Sequence, residues 1–268
     1  MTLSYRLYFC RAIIFMTTDL NHWLLWVVAL FAIIFVRYLL FSGGYAWLFT
    51  DLLKGKMGER IFPRTAAATQ LRRKEILRSA VVSLIFAAFG IGLLYAWNAG
   101  WTRLYQTLDS TWDWAWLFAG PILFLLAQET YYYWVHRWMH RPGVYEIVHR
   151  WHHESIETTV WTAFSFHPLE AILQAIFIPL AAMLIPMHAY AFLGLLAIMT
   201  LSATINHAGV EIFPSSWARS RVLGKLVGAT HHDVHHKRAK YHFGLYFTFW
   251  DEWMGTEANN WRQQLDRD

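Results

Sequence analysis

Five apolar runs constrain this chain more than any other feature: residues 22–41, 80–97, 114–133, 171–186 and 189–205. A helix needs about 20 predominantly apolar residues to cross a bilayer, and the first three runs are close to that length. Arg37 stands near one end of the first, where its long stem can snorkel to the headgroups. The third opens on Trp114 and Trp116 and closes on Tyr131, Tyr132 and Tyr133, the aromatic flanks expected at a membrane surface. Only Met187 and His188 separate the last two runs, so they read as a tight helical hairpin that can enter and leave on one side. The expected fold is all-α, a polytopic membrane helical bundle. Charged residues make up 15% of the chain, against about 25% in an ordinary soluble domain.

Orientation follows from the basic residues. Lys54, Lys56, Arg60, Arg64, Arg72, Arg73, Lys74 and Arg78 lie between the first two runs, against Glu59 and Glu75, whereas residues 98–113 offer only Arg103. The positive-inside rule puts the basic loop in the cytoplasm, and counting spans from there puts the later histidine-rich segments on the same side. The location expected is a bacterial inner membrane or the endoplasmic reticulum. Basic residues facing anionic lipid account for the formal charge of +5, so no nucleic-acid partner is needed. Residues 1–21 hold Arg6, Arg11 and a short apolar run without a small-residue cleavage site; no signal peptide is read there, and Met16 is an alternative start. No repeat, Pro/Gly-rich linker or boundary divides the chain, which reads as one membrane-embedded domain over 1–268.

The lone Cys10 excludes an intramolecular disulfide framework, a Cys-held iron–sulfur cluster, a Cys-type zinc site and a CxxCH haem attachment. Histidine is the opposite case: twelve of fourteen lie between His136 and His236. His136 and His140 form HxxxH; His149, His152 and His153 form HxxHH; His232, His235 and His236 form it again. On a helix, positions i, i+3 and i+4 share a face, so each cluster aims its imidazoles at a common point. Imidazole suits Zn, Fe, Cu or Ni, and a four-coordinate zinc needs about four ligands. Eight imidazoles in three boxes therefore imply two metals.

The boxes, with Phe166-His167-Pro168-Leu169-Glu170, Trp250-Asp251 and Gly255-Thr256, resemble the fatty acid hydroxylase/sterol desaturase superfamily of membrane di-iron oxidases. The run FHPLEAILQA and the later IPMH look most like its sterol C5-desaturase branch. The resemblance covers about residues 129–256. It implies two non-haem iron ions, dioxygen, a lipid substrate, and a histidine-rich di-metal cap on the cytoplasmic face. It also implies His207 as a further ligand, and His167 as a ligand or hydrogen-bond donor, against a helix-entry role. His231 is the spare member of its run, expected near a carboxylate. Where the family usually shows Asn-Tyr-Gly, this chain has His242-Phe243-Gly244, so His242 either stands near the metals or packs locally. Glu129, Glu154, Asp233 and Asp251 are candidates for orienting ligand N–H groups, or else solvated surface charges.

The chemistry implied is O2-dependent removal of hydrogen from a lipid C–H bond, giving an alcohol or a double bond. With no haem or flavin motif in the chain, electrons must come from a separate donor of cytochrome b5 or ferredoxin type. Two rivals stay open. A zinc-dependent membrane hydrolase would need a general base and no reductant; a divalent-metal transporter or sensor should place its ligands at mid-membrane depth.

Overall fold

The computed structural model describes residues 20–265; Cys10, the absent cleavage site and the alternative start at Met16 lie outside the described residues. Five long helices dominate: α1 (Leu20–Ala46), α2 (Ala66–Asn98), α3 (Thr111–Met139), α4 (Pro168–Leu184) and α5 (Ala189–His207). A sixth, α6 (Ala229–Arg238), carries the last histidine box. Among the described residues, strand structure is confined to two two-residue strands, Leu104–Tyr105 and Met187–His188, paired in parallel.

Each start and stop has a local cause. Ser110 and Asp113 close a reciprocal capping box at the head of α3, satisfying backbone N–H groups that the first turn leaves unpaired. Pro168 opens α4 at a position where its missing N–H costs nothing. Gly120 lets the hairpin tip approach α3, because a Cβ there would lie 2.5 Å from the Pro186 carbonyl.

Three helices are long and apolar enough to cross a membrane: Trp23–Leu52, Ala66–Asn98 and Ala189–His207. Pro168–Leu184 is a shorter apolar helix. The third expected span does form a helix, but it does not join those three. Gln128 and Glu129, both buried against protein, interrupt its apolar run, and Asp113 stands just before it. Its outward face still exposes Trp112, Trp114, Phe118 and Ile122. With Leu24, Leu25, Val28, Ile33 and Leu40 on α1 and Leu184, Tyr190 and Leu193 at the hairpin, they form an apolar exterior suited to lipid rather than water. The chain is an all-α membrane protein.

The ends of α3, α4 and α5 gather at two levels. At one level the α2–α3 connection pairs with the α4–α5 tip, where His188 Nε2 lies 3.1 Å from the Gln106 carbonyl. At the other level His136 lies in the last turn of α3, α4 begins after His167 and α5 ends on His207, so both open ends of the hairpin lie at the histidine end. The 19 residues of α5 rise about 28 Å, close to a hydrocarbon thickness of about 30 Å. The basic segment shares the histidine end: Lys74 and Arg78 pair with Glu154, and Arg64 donates to the Ala208 carbonyl. Packing of Tyr38, Val82, Phe164, Phe166 and Ala171 fixes α1 and α2 against the loop that follows the second box.

Candidate metal centre

Nine imidazoles from four segments meet at the histidine end. They sort into two groups, His136, His140, His149, His153 and His235 in one, and His152, His207, His232 and His236 in the other. Within each group the candidate ligand atoms all lie within 4.8 Å of one another. Each HxxHH box is divided between the groups. His149 and His153 go to the first and His152 to the second, while His232 and His236 go to the second and His235 to the first. Adjacent residues on a helix point about 100° apart, so His152 and His153 address different points.

The groups converge through one kind of atom. In the first, Nε2 of His136 lies 3.1 Å from Nε2 of His149, Nε2 of His153 3.2 Å from that of His149, and Nε2 of His235 3.1 Å from that of His153. In the second, Nε2 of His207 lies 3.1 Å from that of His152 and 2.9 Å from that of His232. Backbone carbonyls fix the tautomers. His152 Nδ1 meets the Ser165 carbonyl at 3.3 Å and His207 Nδ1 the Ala203 carbonyl at 2.7 Å. A carbonyl only accepts, so each Nδ1 carries the proton and each neutral Nε2 presents a lone pair. Two lone pairs then face each other at 3.1 Å with no hydrogen to share. His136 and His235 are fixed in the same way by the carbonyls of Phe243 and Tyr241.

Such a cluster suits a cation. For a metal–nitrogen distance of about 2.1 Å, ligands at right angles stand about 3.0 Å apart and those of a tetrahedron about 3.4 Å. The separations here, 2.9–3.2 Å between neighbouring nitrogens, are in the range expected for donors around one cation. Burial, reinforced by neighbouring imidazoles, holds His149, His152, His153, His232, His235 and His236 well below the usual histidine range, so they are neutral donors at pH 7.

The surrounding carboxylates divide by role. Glu170, fully buried, accepts from His149 Nδ1 at 2.8 Å. It is not among the residues singled out from sequence, although it sits in the quoted FHPLE run. Glu129 accepts the backbone N–H groups of Leu245, Tyr246 and Phe247, and Asp251 those of Phe243 and Gly244. Neither touches an imidazole; both hold the loop whose Phe243 carbonyl orients His136. Glu154 pairs with Lys74 and Arg78, and Asp233 with Lys237, away from either group. Glu75, buried, accepts from the hydroxyls of Ser155, Thr159 and Thr162 and so ties α2 to the loop after the second box.

Three expected histidines stand elsewhere. His167 caps α4, its Nδ1 accepting the Leu169 N–H at 3.3 Å, which is the helix-entry role. His231 has no carboxylate beside it; its ring stacks on His242. His242 packs locally, its Nδ1 donating to the His231 carbonyl and its Nε2 accepting from the Ala258 N–H. Its φ of 63° is left-handed. Asparagine and histidine are both enriched in that region, which explains how His242 replaces the usual Asn. Trp134, Trp138 and Trp151 are partly exposed at the rim.

A membrane helical bundle with two adjoining all-histidine groups, each of which could hold a metal ion, is the class that this architecture defines. The chain belongs to the fatty acid hydroxylase family, whose sequence pattern matches residues 121–256. It is 28% identical to a Delta(7)-sterol 5(6)-desaturase of Gibberella zeae, over 66% of this chain and 51% of that one. It is 29% identical to the lathosterol oxidase of Mus musculus, over 59% of this chain and 51% of that one. The chain thus spans about half the length of these curated relatives. No solved structure matches it.

Proposed function

We propose that this protein is an O2-dependent di-iron oxidoreductase that hydroxylates or desaturates a C–H bond of a lipid, sterol-like or fatty-acyl, with electrons from a separate donor. The observation that carries it is the pair of converging Nε2 groups in a chain of this family, which contains sterol desaturases among its relatives. His136, His140, His149, His153 and His235 hold one ion, and His152, His207, His232 and His236 the other. Iron there supplies the activation of dioxygen that organic side chains cannot.

The chain's own residues do the rest. Glu170 and the carbonyls of Phe243, Ser165, Ala203 and Tyr241 fix the ring tautomers. Phe243 packs on His136, His140 and His235, and Phe166 on His152, shielding the groups from water. The groups lie at a membrane surface, so a lipid carbon reaches them from the bilayer between the helices. Following the basic segment, that surface is the cytoplasmic one.

Stoichiometry demands a donor. Desaturation takes two electrons from the lipid while dioxygen accepts four in becoming two waters, so two electrons and two protons enter from outside. Hydroxylation gives one alcohol and one water with the same external requirement. Five imidazoles in one group exceed the three or four protein ligands usual for zinc, which disfavours a zinc hydrolase, and ligands at helix ends rather than mid-membrane disfavour a transporter.

The test is metal quantification and Mössbauer spectroscopy on the full chain in nanodiscs, with lipid products assayed with and without O2 and dithionite. Two irons per chain and product formation dependent on both reagents are expected. One zinc per chain with reductant-independent turnover would overturn the proposal. Lipid profiling of cells with and without the gene then identifies the substrate.

A further inference from the structure

A stack of three aromatic rings, joined to the centre through the α6 backbone between His231 and His232, reaches towards a charged concavity that the chemistry above does not use. His231 precedes His232 directly on α6 and is fully buried, yet neither of its ring nitrogens meets a hydrogen-bond partner. Its contacts are rings instead. It lies parallel to His242, with centroids 3.8 Å apart and planes 9° apart, and Trp261 stands edge-on to both at 4.9 and 5.5 Å. The stack is built rather than incidental. His242 is held in a left-handed backbone conformation with both nitrogens engaged, and Trp261 Nε1 donates to Glu257 at 2.7 Å.

Outside Trp261 the Arg262 guanidinium covers the indole at 4.8 Å. Arg262 also lines a concavity of about 590 Å³ with Arg219, Arg221 and Lys225, against only Glu252 and Glu257. Both carboxylates are already paired, Glu252 with Lys225 and Arg262, and Glu257 with Arg262, so the rim is net cationic. None of the apolar helices contributes to it, which places it on the water-facing side of the histidine end.

Resting on the function proposed above, we propose that an acidic one-electron carrier protein docks on this concavity and that its electrons pass through Trp261, His242 and His231 to the metal centre. Each encounter oxidises one carrier and reduces the centre by one electron. Two encounters supply the two electrons of a turnover, and the matching protons come from water. Complementary charge accelerates such encounters and makes them salt-dependent. A second surface, where Trp151 lies under Arg78 at 4.7 Å, is also basic, lined by Arg73, Lys74 and Arg78, but it includes Leu77 and Val81 of the apolar helix α2 and so lies nearer the bilayer.

The metal-loaded full chain in nanodiscs is titrated with a plant-type [2Fe–2S] ferredoxin and with the soluble haem domain of cytochrome b5, with basic cytochrome c as control. Reoxidation of the reduced carriers is followed by stopped flow. R219E/R221E is expected to weaken binding of at least one acidic carrier about tenfold at low salt, with the difference shrinking at high salt. R78Q is expected to leave binding unchanged. W261L and H242N, the latter suited to the left-handed backbone, should leave binding intact and slow reoxidation at least about tenfold. Reduction by dithionite should be unaffected in both. Wild-type binding by R219E/R221E, or loss of binding in R78Q, overturns the docking surface; wild-type reoxidation in both W261L and H242N overturns the ring path. Product formation by the wild type with dithionite reports on the proposed function separately, so the two failures are distinguishable.

Discussion

Glu170→Ala tests most directly whether the histidine groups are tuned by the protein around them. Its carboxylate accepts from His149 Nδ1 at 2.8 Å with both side chains fully buried, and Gln174 donates to its other oxygen at 3.1 Å. Removing it leaves a buried Nδ1–H without an acceptor, a cost of about 1–3 kcal/mol. It also frees the His149 ring to turn. Loss of an outer partner of a metal-bound histidine typically lowers affinity about 10- to 100-fold, or about 1.4–2.7 kcal/mol. Glu170→Gln keeps the shape and an accepting oxygen but loses the charge. A charge-assisted bond is about twice as strong as a neutral one, so about half of that free energy should be lost, a three- to tenfold effect. The assay is anaerobic ferrous iron titration of the apo-protein against a competing chelator, with Mössbauer spectra resolving the two ions. The expected order is wild type, then Glu170→Gln, then Glu170→Ala, with the loss confined to the ion in the His149 group. Equal weakening of both ions, or wild-type affinity in Glu170→Ala, would refute the assignment.

Three further outcomes follow from the geometry. Because the second box is divided, His152→Ala should deplete the four-histidine ion first and His153→Ala the five-histidine ion first, read as distinct Mössbauer doublets disappearing. Burial keeps the imidazoles deprotonated without metal, so loading at pH 6.5 should release few protons, whereas nine ordinary histidines would release about four to five; calorimetry in buffers of different ionisation enthalpy measures the number. The same lowering means iron affinity stays flat from pH 8 to about 6 and falls only at more acid pH. A Cβ on Gly244 would collide with the Phe247 carbonyl and crowd Asp251 and Glu129, so Gly244→Ala should lower stability by about 1–3 kcal/mol and loosen the His136 ion, checked by thermal melts and iron content.

Much of this was legible in the sequence because it depends on local periodicity. Apolar run length predicts helices, and i, i+3, i+4 spacing predicts that each box converges. The division of each box between two ions follows from the same helical rotation, but only once both targets are in place. Glu170 was not legible, since it lies 21 positions from His149 and meets it only when α4 packs beneath the second box. Glu129 and Asp251 show the converse: a carboxylate near a box in sequence can be foreseen to accept N–H groups, but not whose, and here the donors are backbone amides of residues 243–247. His167 carried a local signal, since a residue directly before an N1 proline occupies the cap position. The third run forms its helix but is less apolar than its neighbours, because its inward face is polar where it meets protein and its outward aromatics alone do not make up the difference.

The carboxylates also bear on how the centre works. Two divalent ions held only by neutral imidazoles bring uncompensated positive charge into a buried site. Glu170, Glu129 and Asp251 are all fully buried around the groups, yet none is a member of either. On the function proposed above, Glu170 stands one ring and Asp251 one peptide and one ring from an ion, and they would offset that charge without taking ligand positions. Burial raises the Glu170 carboxyl well above the usual range and pushes Glu129 up to about 7 and Asp251 to about 6, so it is nearby positive charge that would keep them ionised. Neutralising such a group destabilises the more positive, oxidised metal state more than the reduced one, so the reduction potential should rise. Glu170→Gln acts through a single imidazole and Asp251→Asn through a peptide and then His136, so the first should move the potential more. Spectroelectrochemical titration of the iron centre in both variants tests this. A fall in potential, or the larger shift in Asp251→Asn, would show that these carboxylates organise the backbone without setting the charge of the site.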